Sequence, residues 1–366
     1  MSGPELMTEA LVRHLGSHPE IEYVHLNTQI SRSLADKGKR PLAKMLKSLG
    51  QIVRYLWLLV TYRPGVAYLP LTNSRSFAGF LRDALVMVPA MLMGVRVIFR
   101  LHGGYCHYMH YNGWRAWLVR AVLGRVTMAM VQGRNLTRLF DGVIAPERVA
   151  VVVNGVEGAP FATAREHMLA SKQCSERPTV LFVGLLCREK GALDILRAAP
   201  HILGTTFVLM GEWASPEERD EAMAIVRERG LAERVSFPGV LSGQAKYDAF
   251  ARADVFVFPS YYRVEGHAVV TVEALAAGLP IICTDHGALG ESVQDGWNGY
   301  IVHPRDPSAL AERVRQVLSD PELRRVMGER SRALYEEKFT LPRFVESWVG
   351  TLIQGVAPHT DVRHLG

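Results

Sequence analysis

The 366-residue sequence lacks several motifs that define common protein classes. Its four cysteines include no C-x-x-C pair, so we expect reduced thiols and neither a zinc site nor a disulfide framework. It contains no Gly-x-Gly-x-x-Gly fingerprint and no P-loop, which argues against a dinucleotide-dependent dehydrogenase and an NTPase. No Asp-x-Asp pair occurs either, so no metal ion and no bound cofactor are expected.

Long apolar runs are also absent. The longest, residues 84–95, spans 12 residues and contains Pro89 and Gly94, so it is too short to cross a bilayer and predicts a core helix. The first residues show no basic segment followed by an apolar one, as a signal peptide would require. The sequence therefore predicts a cytoplasmic protein.

The charge is unevenly distributed along the chain. Residues 1–155 carry 19 Lys and Arg against 8 Asp and Glu, whereas residues 156–366 carry 23 against 28. A basic first half favours an anionic partner: a phospholipid surface, a lipid pyrophosphate or nucleic acid. No nucleic-acid recognition motif is present, so nucleic acid is not expected.

One basic segment of the first half has two interpretations. An apolar stretch, residues 55–60, follows five cations, Lys37, Lys39, Arg40, Lys44 and Lys47. The segment could lie as a basic amphipathic helix in the headgroup layer of an anionic membrane, making the protein peripheral at its inner face. Alternatively, it packs on a sheet and leaves only its basic edge in solvent.

Helical patterns alternate with short apolar runs in both halves, which predicts two doubly wound α/β domains. In the first half, strands are expected near 23–26, 66–71, 95–101, 127–131 and 149–153, with helices near 5–15, 41–62, 74–93, 112–123 and 133–141. In the second half, strands are expected near 179–185, 206–210, 235–237, 255–258, 281–283 and 300–302, with helices near 191–203, 216–229, 243–252, 268–277, 307–318, 321–338 and 341–354.

These elements divide the chain into a first domain (1–155), a linker (156–177), a second domain (178–340), and a closing helix and tail (341–366) that could cross back to the first domain. The chain opens on a helix where a doubly wound domain normally opens on a buried strand. A first strand is therefore apparently missing, and we expect the native start to lie upstream of Met1.

The segment 259–280 is the most informative part of the sequence. A buried strand leads into Glu265 and Gly266, and a helix is expected over 268–277, with Glu273 inside it. The free N–H groups at this helix start, those of His267, Ala268, Val269 and Val270, predict an anion site flanked by two carboxylates. The alternative is that one glutamate complements the helix dipole and the other lies on a solvated face.

Three further loops follow predicted strands, where ligands of such sheets bind. They contain His102-Gly103-Gly104, then Gly184 to Gly191 with Arg188 and Lys190, and finally Gly239-Val240. A lysine and an arginine in such a loop can hold a diphosphate. They can equally be ordinary surface charges, and a single histidine is more often structural.

Glu265-Gly266-His267-x5-Glu273, with its Ala-x-Ala-x-Gly-x-Pro tail, resembles the Glu-x7-Glu signature of the retaining glycosyltransferases of family 4 (glycosyl transferases group 1). The resemblance covers nearly the whole chain and implies the GT-B architecture, in which two Rossmann-like domains face a cleft. It implies catalytic roles for Glu265 and His102, and contacts to the donor diphosphate from Lys190, Arg188 and the 267–270 amides. It further implies that Glu273, Gly239 and Val240 contact the ribose and base, and that Gly103, Gly104, Gly184 and Gly266 allow close backbone approach. The sequence departs from the family at Leu185, where arginine is common, so Arg188 is the candidate replacement.

The expected reaction moves a sugar from a nucleotide-diphosphate donor, UDP- or GDP-linked, to an acceptor hydroxyl with retention and without a metal. A lipid-linked or glycan acceptor, in bacterial cell-envelope or exopolysaccharide assembly, fits the basic first half. Two alternatives remain at this stage: another GT-B enzyme, such as a nucleotide-sugar epimerase or a phosphorylase, or a non-enzymatic basic protein that binds nucleic acid.

Overall fold

A computed structural model describes residues 11–13, 15, 22–26, 41–170 and 177–356, without the side chains of 41–46 and 169–170. Of the helix predicted at 5–15, only residues 11–13 and 15 lie within these ranges, and they are helical. Leu11 and Leu15 are buried in an apolar cluster with residues of the C-terminal helix. Within the described residues, no helix is long and apolar enough to cross a membrane.

The first sheet has four parallel strands in sequential order, β1 to β4. Its strands are β1 (Val66–Leu71), β2 (Arg96–Leu101), β3 (Met128–Val131) and β4 (Val149–Val151), and its helices are α1 (Pro41–Tyr62), α2 (Phe77–Leu92) and α3 (Gly113–Leu123). The helix α1 was predicted from the sequence with the same bounds, 41–62. The segment predicted as a helix at 133–141 is a 3-10 helix, Arg134–Phe140.

One strand prediction is wrong. Residues 22–26 form no strand, and the side chains of Tyr23 and Val24 are exposed to 38% and 51%. An alternating apolar pattern becomes a strand only where a neighbouring strand accepts its hydrogen bonds and a core covers one face. Among the residues that the structure describes, this short segment has neither. The first strand that seemed missing from the sequence stays a prediction.

The second sheet has six parallel strands in the order β7-β6-β5-β8-β9-β10. They are β5 (Thr179–Val183), β6 (Thr206–Met210), β7 (Val235–Gly239), β8 (Val255–Phe258), β9 (Ile281–Thr284) and β10 (Gly299–Val302). The helices of this part are α4 (Ala159–Ala170), α5 (Ala192–Ala198), α6 (Pro216–Glu228), α7 (Gly243–Arg252), α8 (Val269–Ala276), α9 (Pro307–Ser319) and α10 (Pro321–Leu334). The strand order reverses between β5 and β8, which creates a crevice at their carboxyl ends.

The stretch predicted as a linker contains α4, which packs against the second sheet's α7. The ring of Phe161 contacts those of Tyr247 and Phe250 edge-to-face, at centroid distances of 4.9 and 5.3 Å. Arg165 donates hydrogen bonds to the carbonyl oxygens of Ala251 and Ala253. This segment therefore adds to the second hydrophobic core.

The last helix of the described residues is α11 (Leu341–Val356), which packs against the first sheet. Trp348 is 3% exposed and meets the ring of Tyr68 on β1 edge-to-face at 4.9 Å. Arg96 on β2 donates to the carbonyl oxygen of Gly355. A helix that follows the second domain in sequence thus covers one face of the first domain's sheet.

Truncating this contact should destabilise the protein. We expect Trp348→Ala to lower the free energy of unfolding by about 3–5 kcal/mol, because a large buried aromatic side chain leaves a cavity. Urea unfolding followed by circular dichroism measures the change. Ile353→Ala on the same helix is the matched control, since Ile353 is 44% exposed and should cost well under half as much. Equal losses in both variants would contradict the packing.

Candidate functional site

The site lies in the crevice between β5 and β8, where the loops after these strands meet the loop after β2. Gly191, the N-cap residue of α5, has a positive φ of 84°, and a β-carbon there would lie 2.7 Å from the carbonyl oxygen of Pro259. Only glycine adopts this conformation without strain at such a close approach. This contact holds the β5 loop, with Lys190, against the β8 loop, with Glu265.

Glu265 and Lys190 form a buried ion pair at this point. The Lys190 ammonium donates to both carboxylate oxygens of Glu265, at 3.0 and 2.7 Å. The Ser260 hydroxyl donates to Oε2 of the same carboxylate at 2.7 Å. The ammonium also lies 5.3 and 5.2 Å from the ring centroids of Phe258 and Tyr262. The two residues most strongly predicted from sequence are therefore in direct contact, and Ser260 joins them.

Glu273, on α8, forms a second buried ion pair. Its Oε1 accepts a hydrogen bond from Lys246 on α7 at 2.5 Å, and its Oε2 has no partner among the described residues. Burial raises the pKa of Glu273, and the Lys246 charge opposes that rise. The alternative that Glu273 lies on a solvated face is wrong, because the residue is only 6% exposed.

The helix start between these pairs is less open than the sequence implied. The N–H of His267 donates to the side-chain oxygen of Gln132 at 3.3 Å, so this predicted anion donor already has a partner. The N-cap position is Ala268, and α8 begins at Val269. The predicted donors that remain are the N–H groups of Ala268, Val269 and Val270.

The His267 side chain connects the two halves of the chain. Its Nδ1 accepts a hydrogen bond from the Asn154 N–H at 3.1 Å, so Nε2 carries the proton and donates to Ser292 at 2.9 Å. The Asn154 side-chain amide donates to the His267 carbonyl oxygen at 2.6 Å. Complete burial, with a smaller contribution from Arg100, lowers the pKa of His267 to about 3.

The first domain's loop contacts the second domain directly. Gly104 donates its N–H to the carbonyl oxygen of Val264 at 3.1 Å, and a β-carbon on Gly104 would lie 1.9 Å from the carbonyl oxygen of Glu265. A β-carbon on Gly103 would lie 2.8 Å from the Val264 oxygen, and one on Gly266 would lie 2.0 Å from the Gln132 side-chain oxygen. These glycines permit close approach between the two domains' own backbones.

His102 adjoins these glycines and is largely buried. Burial, followed by the nearby Arg100 charge, lowers its pKa to about 3. Its Nδ1 has no hydrogen-bond partner among the described residues. His102 is therefore neutral at physiological pH and available to bond a neutral or anionic group.

The other predicted residues belong to neither of the two buried ion pairs, Lys190–Glu265 and Lys246–Glu273. Arg188 is half exposed and pairs with Glu221 on α6 at 2.5 Å. Gly184 follows β5 and donates its N–H to the Met210 carbonyl oxygen. Gly239 has a positive φ of 76°, and Val240 is 72% exposed.

Four residues at the site were not predicted from sequence: Ser260, Lys246, Gln132 and Asn154. Asn154 precedes Gly155 in an Asn-Gly pair, which is typical of turns, and Ser260 lies two residues after the end of β8, so their positions carried a signal. Lys246 and Gln132 carried none, because a lysine on a helix and a glutamine after a strand are ordinary in sequence. No group of three or more His, Cys, Asp or Glu is placed to hold a metal ion in the described part of the chain.

Lowering the pH should destabilise the folded state through His267. Because its pKa falls from 6.5 to about 3 on folding, only the unfolded chain gains the proton in this interval. The contribution of His267 to the free energy of unfolding is complete above pH 6.5 and falls by about 1 kcal/mol per pH unit between pH 6 and pH 3. We expect His267→Asn to reduce this dependence, measured by urea unfolding at pH 8 and pH 5. Exposed His201→Asn is the control, and an unchanged dependence in His267→Asn would contradict the assignment.

Comparison with known proteins locates the similarity mainly in the second half. Residues 165–334 match the family model described as "Glycosyl transferases group 1". The chain is 33% identical over 212 residues to the glycogen synthase of Mycobacterium tuberculosis, covering 56% of this chain and 48% of that protein. It is 28% identical over 268 residues to the same species' GDP-mannose-dependent α-(1-6)-phosphatidylinositol monomannoside mannosyltransferase, covering 68% and 67%. The chain thus spans about half the length of the first of these relatives.

Solved structures share the fold over most of the chain. Anabaena Alr3699/HepE in complex with UDP and glucose superposes with a TM-score of 0.71 at 15% identity, covering 96% of both chains. Sucrose-phosphate synthase of Thermosynechococcus elongatus gives a TM-score of 0.71 at 20% identity, covering 96% of this chain and 93% of that one. The chain therefore has the GT-B fold, and its similarity to the glycosyl transferases group 1 family lies in residues 165–334.

Proposed function

We propose that this protein is a retaining glycosyltransferase that transfers a sugar from a nucleotide-diphosphate sugar to an acceptor hydroxyl. The observation that carries the proposal is the Lys190–Glu265 pair in the β5–β8 crevice, facing the His102 loop of the first domain. A cation, a carboxylate and a helix start converge there. The cation and the N–H groups of the helix start suit the donor's diphosphate, and carboxylates suit the hydroxyls of its sugar and ribose.

The barrier of the reaction lies in breaking the bond between the anomeric carbon and the diphosphate oxygen. Negative charge grows on the departing diphosphate, and fixed positive groups aimed at it lower the barrier most. Lys190 and the N–H groups of Ala268, Val269 and Val270 supply them, so the reaction proceeds without a metal ion. Arg188 reaches the diphosphate only if it leaves Glu221.

The carboxylates and His102 hold the rest of the donor. Glu265 accepts hydrogen bonds from the sugar hydroxyls and stabilises the positive charge that develops on the sugar ring. Its pairing with Lys190 keeps both side chains oriented before the donor arrives. His102, neutral because of its lowered pKa, bonds the sugar or phosphate. Glu273 accepts hydrogen bonds from the ribose, while Gly239 and Val240 border the base. Because no second carboxylate is assigned beneath the anomeric carbon, departure and attack occur on the same face.

The donor is UDP- or GDP-linked, and the acceptor is a lipid-linked molecule or a glycan of the bacterial cell envelope or an exopolysaccharide. Support for the donor comes from relatives and fold neighbours whose names include UDP, UDP-glucose and GDP-mannose. Support for the acceptor comes from the basic first half and a relative named for a phosphatidylinositol glycoside. The protein would work as a peripheral protein at the inner membrane face. Of the five cations predicted to touch the membrane, Lys37, Lys39 and Arg40 lie outside the described residues, and the Lys44 side chain is not described.

The function is tested by incubating the protein with UDP-, GDP- and ADP-sugars, with and without lipid and glycan acceptors. We expect one nucleotide class to raise the thermal unfolding temperature and to be consumed faster with acceptor. NMR coupling constants of the product then report whether the anomeric configuration is kept. Conversion of the donor to an isomeric nucleotide sugar without acceptor would indicate an epimerase and contradict the proposal.

Removing the cation of the first pair should impair donor use. We expect Lys190→Ala to lower kcat/KM for the donor at least tenfold, about 1.4 kcal/mol of transition-state stabilisation. The loss has two causes: the diphosphate loses its positive partner, and Glu265 is left as an unpaired buried charge. Lys338→Ala, at an exposed lysine of the same domain, is the control. Wild-type kinetics in Lys190→Ala would overturn the site assignment.

Removing the cation of the second pair should weaken nucleotide binding. We expect Lys246→Ala to raise the Kd for the nucleotide at least fivefold at pH 7.5, because Glu273 loses the charge that opposes its raised pKa and binds a proton more readily. Isothermal titration with UDP and GDP measures the change, and the deficit should shrink at higher pH. Gln244→Ala, two residues away on α7, should bind normally. A deficit independent of pH would indicate a different role for Lys246.

A further inference from the structure

The outer surface of the α1–α2–α3 layer is apolar to an extent unusual for exposed helices. On α1 the exposed side chains recur at the spacing of one helical face, and α2 and α3 continue the surface. Its apolar residues, each more than 40% exposed, are Leu49, Val53, Trp57 and Val60 on α1, Leu81, Leu85 and Leu92 on α2, and Trp114 and Trp117 on α3. We call these nine residues the outer face. Extended exposed patches of this kind mark interaction sites.

The outer face is not the surface by which these helices pack on the sheet. On α1, Leu59 is 2% exposed and belongs to the first domain's core, with Tyr55 and Leu56 packed against it. On α2, Phe80 and Met87 are buried in the same core. The sequence offered two alternatives for α1, packing on the sheet or lying against a membrane. The helix has apolar residues on both sides, so packing on the sheet leaves the second side uncovered.

The charge around the outer face is almost entirely positive. Residues 41–140 contain thirteen Lys and Arg and a single acidic residue, Asp83. The Asp83 carboxylate is buried and accepts hydrogen bonds from the Tyr108 hydroxyl and the Thr72 N–H. The exposed cations on and beside the three helices include Arg54, Arg63, Arg115, Arg120 and Arg125. Asp83 also forms an ion pair with Arg82, at 3.8 Å.

Three tryptophans on the outer face favour a lipid surface over another protein. Tryptophan is enriched where membrane hydrocarbon meets the headgroups, since its ring is apolar and its N–H finds polar partners there. The Arg115 guanidinium lies 5.3 and 5.6 Å from the ring centroids of Phe77 and Trp114. Arginine with its stem along an aromatic surface and its charge outward suits the boundary between acyl chains and anionic headgroups.

The outer face reaches the catalytic end of the first domain. Helices in a parallel α/β sheet run opposite to the strands, so the start of α3 lies at the carboxyl edge of the sheet, where His102 follows β2. Trp114 and Trp117 are in the first two turns of α3. A shallow cavity of about 650 Å³ beside them is lined by Tyr111, Trp117, Arg120 and Arg125, among others.

We propose that the outer face docks onto the surface of an anionic phospholipid bilayer. The apolar side chains and tryptophans enter the interface, and the arginines contact the lipid phosphates. This orientation places the cleft mouth, beside the start of α3, at the membrane. The inference deepens the proposed peripheral location and rests on it, but it concerns a surface separate from the ion pairs of the crevice.

Vesicle binding tests the proposal with the full chain and no donor or acceptor. The probes are vesicles of phosphatidylcholine alone and of phosphatidylcholine with 30% phosphatidylglycerol. We expect binding to the anionic vesicles that weakens with added NaCl. Trp114→Ala/Trp117→Ala should reduce the partition coefficient at least tenfold, and Arg115→Ala/Arg120→Ala should reduce it mainly at low salt. Brominated lipids should quench wild-type tryptophan fluorescence more than that of the tryptophan variant.

Leu203→Ser is the matched control, because Leu203 is 83% exposed on the second domain and should not affect vesicle binding. Thermal unfolding, and UDP or GDP binding where the wild type binds them, verify that each variant is folded. Loss of vesicle binding with intact nucleotide binding supports the proposal. Wild-type partition by the tryptophan variant overturns it. The proposal is also overturned if the wild type does not bind vesicles but forms a dimer and the tryptophan variant stays monomeric, since a second copy of the chain would then cover this face. Because no step uses turnover, these outcomes are independent of the proposed reaction.

Discussion

The buried pair of Lys190 and Glu265 is the interaction on which the site depends. Two opposite charges in a crevice with little access to water are stable only together, since either one alone would be left without solvation. The pair joins the loop after β5 to the loop after β8, the two strands between which the sheet order reverses. It therefore fixes the geometry of the crevice.

A second set of contacts unites the domains around this pair. The His267 side chain accepts a hydrogen bond from the Asn154 N–H at Nδ1 and donates one to Ser292 from Nε2, and the His267 N–H donates to the Gln132 side chain of the first domain. The glycines at 103, 104 and 266 allow backbones to approach where any side chain would collide. Donor entry between the domains would have to separate some of these contacts. Domain motion is thus the expected consequence of so many small polar contacts at one interface.

Different elements cover the two faces of the first domain's sheet. The C-terminal helix α11 covers one face through Trp348 and Phe344, and the α1–α3 layer covers the other. Because the helix layer is apolar on both sides, its packing on the sheet leaves a basic, tryptophan-bearing surface exposed. Of the two alternatives that the sequence presented for α1, packing on the sheet is confirmed by the burial of Leu59 in the core, and contact with a membrane stays a prediction.

The amino-acid sequence by itself determined the element order, the α/β class and the motif residues, because periodicity, glycine positions and the Glu-x7-Glu spacing are local properties of the chain. It failed where the outcome depended on partners distant in sequence. Within the described residues, Tyr23 and Val24 have no neighbouring strand. The His267 N–H donates to Gln132 of the first domain, and Arg188 pairs with Glu221. Only the tertiary structure decided which carboxylate pairs with which lysine, because Lys190 and Glu265, like Lys246 and Glu273, are brought together by sheet order and not by spacing along the chain.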